Sequence, residues 1–441
     1  MRFLFIHQNF PGQYPHLAAK LAADPAHTVV AIGERANMEK RAQPPGVRLI
    51  GYLTPTAAKR EVHPFVRGHE SAVRRGRLVA QVMRKLREGG FVPDVVCAHP
   101  GWGETLFVKD VFPASRLIGY FEFFYHGRGA DVGFDPEFPT SFDDLCRVRV
   151  KNSTLLLSLD AADAGVAPTY WQQVQAPPEY RRKIEVVHDG VDTDTVRPDA
   201  SDSLTLPDGT VLTAADEVVT YVSRNLEPYR GFHVFMRALP AILVRRPKAR
   251  VVIVGGDQVS YGVPDPKGRT YRASLLAELG DALDLSRVHF LGRIPYRSYL
   301  SVLRVSSAHV YLSYPFVLSW SMLEAMAAGC VVIGSRTAPV DEVIEHGVNG
   351  WLPGFSDTAA LAERVVEALA AGPALARLRA AARRTIVERY DLAGVCLPRQ
   401  IALVQVRPAR RRGSAGRQPI DGPAAVGNRG AGVPATRPAA G

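Results

Sequence analysis

Cysteine is scarce in this 441-residue chain: there are four, Cys97, Cys146, Cys330 and Cys396, and no two form a C-x-x-C clip. That excludes a disulfide-stapled scaffold and a small zinc module, and Cys97 and Cys330 lie in apolar runs that suit buried thiols in a reducing cytoplasm. Long hydrophobic runs are missing too. The apolar stretch from Phe3 to Ile6 is too short for a signal-peptide core. The longest uncharged segment, 305–323, carries five serines and Pro315 in 19 residues, which argues against a membrane span. Aromatic residues are absent from 407–441, a tail rich in Gly, Ala, Pro and Arg that is expected to be disordered. With nothing there to stack on bases, nucleic acid is not an expected partner.

What remains is enough to bury large cores. The chain is 46% hydrophobic and 22% charged, and its length allows roughly two to four domains. The net charge of +11 is concentrated: the tail contributes +6, and residues 59–90, with nine Lys or Arg against three Glu, another +6. The rest is close to neutral. Within 59–90 a helical pattern carries apolar Val73, Val79, Val82, Met83 and Leu86 among basic residues, so peripheral contact with an anionic membrane is an expectation beside that of a solvated face.

Short apolar runs alternate with helical patterns in both halves. Strands are expected at 2–7, 28–32, 47–52, 94–98, 117–121 and 183–188, then at 218–223, 250–254, 288–291, 309–314, 330–334 and 350–352. Strands this apolar, separated by helices, predict parallel sheets covered on both faces: an α/β protein of two doubly wound, Rossmann-like domains facing a cleft. The expected organisation is 1–188, a linker 189–217, 218–387, a helical segment 388–406 and the tail 407–441. In such sheets ligands collect beyond the carboxyl ends of the strands, so function is sought in the loops there.

After the run 218–223 the chain continues Arg224 to Gly231, and Arg230 stands just before a helix, where the macrodipole disfavours a cation by up to about 1 kcal/mol. An anion shared by Arg224 and Arg230 explains the placement; pairing of Glu227 with one of them is the alternative. After 309–314, Pro315 ends the strand, and Ser319 or Ser321 can cap a helix whose free N–H groups suit phosphate. Glu324 is either the partner of Ser321 in a capping box or a carboxylate for ribose hydroxyls.

These segments resemble family 4 of the retaining glycosyltransferases. The likeness rests on Ser223-Arg224, Arg230-Gly231-Phe232, Val252 to Gly256, Val288 to Gly292, Leu323-Glu324-Ala325-Met326-Ala327-Ala328-Gly329, Pro339 to Ile344 and Gly347 to Gly350. His7 to Gln13 and His188-Asp189-Gly190-Val191-Asp192 share it, and it covers about residues 1–400. The resemblance implies a GT-B fold. Arg224 and Arg230 would hold the diphosphate of a nucleoside-diphosphate sugar, Ser319, Trp320 and Ser321 would offer helix-start amides, and Glu324 would bind the ribose. Gly12 and Gly256 would lie on the donor side. No cofactor or metal is implied, and Asp192-Thr193-Asp194 reads as linker.

Two departures stand out. The family's pair of Glu separated by seven residues is broken, with Phe316 at the earlier position, and Glu122 falls on or near the family's catalytic-side His. Glu122 is then a candidate acceptor-side carboxylate, with a structural acid buried by the nearby aromatics as the alternative, while His99 and an exposed Trp102 border the cleft for a carbohydrate or lipid-linked acceptor, unless His99 serves to cap the next helix. The implied reaction is sugar transfer with retained configuration, in polysaccharide or glycolipid synthesis, by a cytoplasmic protein peripheral at most to the inner membrane face. An epimerase of the same fold and a silent nucleotide-sugar binder are the rival readings.

Overall fold

The structure, a computed structural model, describes residues 1–57 and 61–406. The expected tail lies outside them, as do Lys59 and Arg60 of the basic segment.

The first half is built on β1 (Arg2–Ile6), β2 (Thr28–Glu34), β3 (Arg48–Tyr52), β4 (Val95–Ala98), β5 (Arg116–Tyr120), β6 (Ala164–Ala167) and β7 (Ile184–Val186). These pair in the order β3-β2-β1-β4-β5-β6-β7, every pair parallel. Helices cover both faces, so the central strands have no solvent side, while the edge strand β3 leaves Arg48 and Leu49 exposed. Phe3 to Ile6 and Val29 to Ile32 are buried without a break, which is why they read as unbroken apolar runs. β6 was not among the expected strands: Ala164-Gly165-Val166-Ala167 is short and small-sided, and its place is set by pairing with β5 and β7.

A small antiparallel hairpin, β8 (Ser203–Thr205) with β9 (Val211–Thr213), occupies part of the stretch expected as linker, and Leu204, Leu206 and Leu212 pack under the second sheet. That sheet comprises β10 (Val218–Asn225), β11 (Arg250–Gly256), β12 (Val288–Gly292), β13 (Ala308–Tyr311) and β14 (Val332–Gly334), in the parallel order β12-β11-β10-β13-β14. The run expected at 350–352 makes only isolated bridges, Trp351 with Ile333 and Gly350 with His346.

The strand order turns back between β1 and β4 in one sheet and between β10 and β13 in the other. A crevice opens at the carboxyl ends at such points.

Two segments stitch the halves together. The connection 121–141 leaves β5 and crosses to the second half. There Phe123 and Ala130 join the core around Phe232 and Phe235. Tyr229 donates to Asp131 at 3.0 Å and Tyr314 to Asp135 at 2.8 Å, while His233 Nε2 lies 3.0 Å from the same Asp135 oxygen. In the other direction, the helix Leu397–Gln405 returns to the first half and buries Leu403 and Val404 beside Phe3 and Phe5.

The basic helix spans Arg67–Glu88, and its apolar stripe, Val79, Met83 and Leu86, is buried in the first core. Its outward face is mostly basic, with Arg77, Arg84, Lys85 and Arg87 exposed beside Gln81 and Glu88. No helix among the described residues is long and apolar enough to cross a membrane.

Candidate functional site

β10 carries the first cation. Its pairing with β11 shifts register between Val222 and Asn225, which releases Arg224 from the ladder into an exposed position. Arg224 has no hydrogen bond or ion pair among the described residues. Arg230 ends a one-turn 3-10 helix, Pro228–Arg230, at the start of the helix Phe232–Arg245. The junction is Gly231, at φ +65°, where a Cβ would come within 2.3 Å of the Leu312 side chain. Arg230 is 7% exposed, and all three hydrogen-bond acceptors of its Nη1 are neutral: Tyr311 Oη, Ser313 Oγ and Val317 O at 3.3, 2.8 and 3.0 Å. Its guanidinium also lies 5.3 Å from the Tyr261 ring centre.

The alternative in which Glu227 pairs with one of these arginines is overturned. Glu227 is fully buried and accepts from the backbone N–H groups of Ser260, Tyr261 and Gly262, so its charge is spent on a loop. Both arginines are left without a carboxylate partner in the second half.

The helix after β13 is Trp320–Ala327, capped by Ser319. Here the expected cradle is thinner than its sequence suggested. Ser319 N–H donates to the Tyr311 hydroxyl at 2.9 Å and Ser321 N–H leans on Ser319 Oγ at 3.4 Å, so the Trp320 N–H is the one of the three left unbonded among the described residues. The capping box is also absent: Glu324 accepts from the hydroxyls of Tyr296 and Tyr299 at 2.7 and 2.8 Å. Burial raises its pKa, and these two bonds offset part of that. Phe316 is 4% exposed, with its ring 4.8, 5.6 and 5.0 Å from those of Phe123, Tyr229 and Tyr261. Gly256 ends β11, and a Cβ there would meet Asn225 Oδ1 at 2.7 Å, which gives this glycine a local packing reason.

On the first half, β4 delivers His99 and β5 delivers Glu122. His99 Nδ1 accepts from Gly101 N–H at 3.1 Å, and Nε2 lies 3.7 Å from Glu122 Oε2 with no hydrogen-bond partner of its own. Trp102 does not project freely as expected; it stacks on His99 at 4.5 Å, while Tyr120 closes the other side at 5.7 Å. Gly12, at φ +53°, is required by His7, whose ring occupies the space a side chain would fill. His7 in turn bonds Gln13 at 2.8 Å, and Gln13 reaches Glu122 at 3.4 Å. Burial disfavours the ionised Glu122, but the contact with His99 and the fields of Arg224 and Arg230 outweigh it and hold the carboxyl below its usual value. Glu122 therefore feels both donor-side cations across the crevice.

Asp189 joins this group, although the sequence placed it in the linker. It leaves β7 at the carboxyl edge, accepts from the Tyr120 hydroxyl at 3.1 and 3.0 Å, and accepts from the Trp320 indole N–H at 2.8 Å. Its place just past an apolar strand was the available signal. Asp192, by contrast, folds back on the N–H groups of Asp194 and Thr195, as a linker turn does. Among the described residues one cluster has metal-ligand spacing, Asp135, Glu137 and His233, and it is held by internal partners: Tyr314 on Asp135 and Arg237 on both Glu137 oxygens.

With this geometry in hand, comparisons with known proteins place the chain. The Glycosyl transferase family 4 group matches residues 25–196, and Glycosyl transferases group 1 matches 210–385. A D-inositol 3-phosphate glycosyltransferase of Streptomyces avermitilis is 31% identical over 242 residues, 53% of this chain and 50% of the relative. One from Mycolicibacterium smegmatis is 30% identical over 195 residues, 44% of this chain and 42% of the relative. The chain thus spans about half the length of these relatives. Among solved structures, a glycosyltransferase from Rickettsia africae superposes with a TM-score of 0.64 at 16% identity, over 91% of this chain and 97% of that one. Anabaena HepE in complex with UDP and glucose does so with 0.62 at 18%, over 91% and 98%. Two parallel sheets with crevices at their carboxyl ends, matched along both halves in this way, make the chain a member of the family 4 glycosyltransferases with the GT-B fold.

Proposed function

We propose that the protein transfers a sugar, with retained configuration, from a nucleoside-diphosphate sugar to an acceptor hydroxyl. The observation that carries this reading is the charge arrangement: Arg224 and Arg230, without carboxylate partners in their own half, face Glu122 across the crevice. The barrier to transfer lies in breaking the C1–O bond as negative charge grows on the departing diphosphate. The Arg230 guanidinium, held by its neutral acceptors, the Arg224 guanidinium and the Trp320 N–H address that charge. Glu122, kept ionised, takes the acceptor side: it orients the acceptor hydroxyl and supports positive charge at C1. The leaving phosphate accepts the hydroxyl proton as attack proceeds on the same face. Phe316 stands where the family has a sugar-side carboxylate, so Glu122 is the carboxylate that remains for this task.

Relatives named as transferases favour transfer over epimerisation, and HepE with UDP and glucose supports a nucleotide-sugar donor. An acceptor in surface polysaccharide or glycolipid assembly fits the outward basic face of the Arg67–Glu88 helix. With its apolar stripe buried, contact with an anionic membrane there is electrostatic and fades with salt.

The test is a screen of UDP-, GDP- and ADP-sugars by thermal stabilisation, followed by product analysis with sugar acceptors. One donor class should stabilise the protein, by about 2.7 kcal/mol at a hundredfold excess over its dissociation constant. A new glycoside of unchanged anomeric configuration should follow. An epimerised donor, or binding with neither transfer nor slow hydrolysis, contradicts the proposal.

A further inference from the structure

The seam between the halves includes a carboxylate, Asp189, with donors from both sides. Asp189 receives the Tyr120 hydroxyl from the end of β5 and the Trp320 indole N–H from the first turn of the helix Trp320–Ala327. Tyr120 is buried and stacked on His99, two residues before Glu122, so it does not yield. Trp320 is 47% exposed, and its main-chain N–H is the free amide at that helix start. Whatever fixes the indole therefore fixes the amide that faces the donor phosphate.

We propose that Asp189 is a positioning residue for transfer: its carboxylate ties the start of the donor-side helix to the strand that delivers Glu122, and so sets the gap across which the sugar passes. This rests on the reading of the site given above. Bonds to an ionised acceptor are shorter and roughly twice as strong as neutral ones, so the tie depends on the charge of Asp189. The titratable groups that face it are Tyr120 and Glu122 from β5 and its exit, Tyr14 before the first helix, His188 beside it and Cys396 from the returning segment. None is a permanent cation. Burial and the Glu122 charge push Asp189 up to about 7 against the opposing bonds from Trp320 and Tyr120, so the tie weakens as the medium becomes acidic.

Steady-state kinetics of wild type, Asp189→Asn, Trp320→Phe and the double variant, across pH, test this. Asp189→Asn should lower kcat about tenfold or more while the dissociation constant of the matching nucleoside diphosphate stays within about twofold. It should also remove the acid limb of kcat near neutral pH. Trp320→Phe should cost less in the Asp189→Asn background than alone, because the two share one contact. A kcat within about twofold of wild type, an unchanged acid limb, or strictly additive losses overturns the proposal. A measurement free of activity and of Asp189→Asn folding is the tryptophan fluorescence of wild type minus Trp320→Phe. It should titrate near neutral pH, and a flat difference from about pH 5.5 to 8.5 overturns the tie. If the wild type binds none of UDP, GDP or ADP, the donor-site reading fails, and the fluorescence titration still decides the contact.

Discussion

Arg224 and Arg230 carry the same charge in opposite settings, and substitutions at the two report different things. Arg224 is exposed and makes no hydrogen bond or ion pair among the described residues, so Arg224→Ala should leave the melting temperature nearly unchanged, within about 0.5 kcal/mol of stability. Turnover should fall by about a hundredfold, the usual scale for one lost transition-state donor. Arg230 is buried, and Arg230→Ala strips Ser313 Oγ and Val317 O of their donor, which should cost about 1–3 kcal/mol of stability before any chemistry is measured. The two cleft carboxylates shift in opposite directions. Glu122 sits below its usual value, so its stabilising contribution is present above about pH 4.3 and is lost as pH falls through the folded value; Glu122→Gln should flatten stability in that acid range. Asp189 is pushed up to about 7, so it binds its proton more tightly when folded, and stability declines as pH rises from about 4 toward that value. Melting of Asp189→Asn against pH should lack that slope.

Strands and their loops decided which of these residues could be read from sequence. β1, β2, β4 and β10 carry unbroken apolar stretches, so the runs located these strands, although β10 runs on to Asn225 and includes Arg224, which was expected just after it. β6 escaped because four small residues make no apolar run, and β8–β9 because each strand is three residues long, with one apolar residue in β8 and two in β9. Hydrogen bonds between distant segments were not legible. Nothing in Ser321 or Glu324 reveals that Tyr296 and Tyr299 take the carboxylate, and Glu227 gave no sign of its three amide donors. In the connection 121–141, Asp131 and Asp135 dock on Tyr229, Tyr314 and His233, contacts between segments far apart in sequence. Asp135→Ala would leave a buried His and a buried hydroxyl without their acceptor and should destabilise by about 3 kcal/mol, read as a lower denaturant midpoint with an unchanged slope.

Among the described residues, the contacts that join the halves include the 121–141 connection, the returning helix Leu397–Gln405, the Asp189–Trp320 bond and Glu342, which accepts from the Tyr170 and Trp171 N–H groups. Parallel sheets were legible because both of their faces are covered; how one half meets the other was not, since it depends on pairs such as Phe123 with Phe316, one from each half. That aromatic contact lies at the position where the family resemblance implies a carboxylate, and Glu122 and Asp189 are the cleft carboxylates set against the two cations. The account therefore stands on the affinity of those cations for diphosphate. Calorimetric titration of the preferred nucleoside diphosphate and of its parent nucleoside, into wild type and Arg224→Ala, measures it directly. Diphosphate binding should weaken about tenfold or more, about 1.4 kcal/mol, with nucleoside binding unchanged. Equal diphosphate affinity in the two proteins would contradict it.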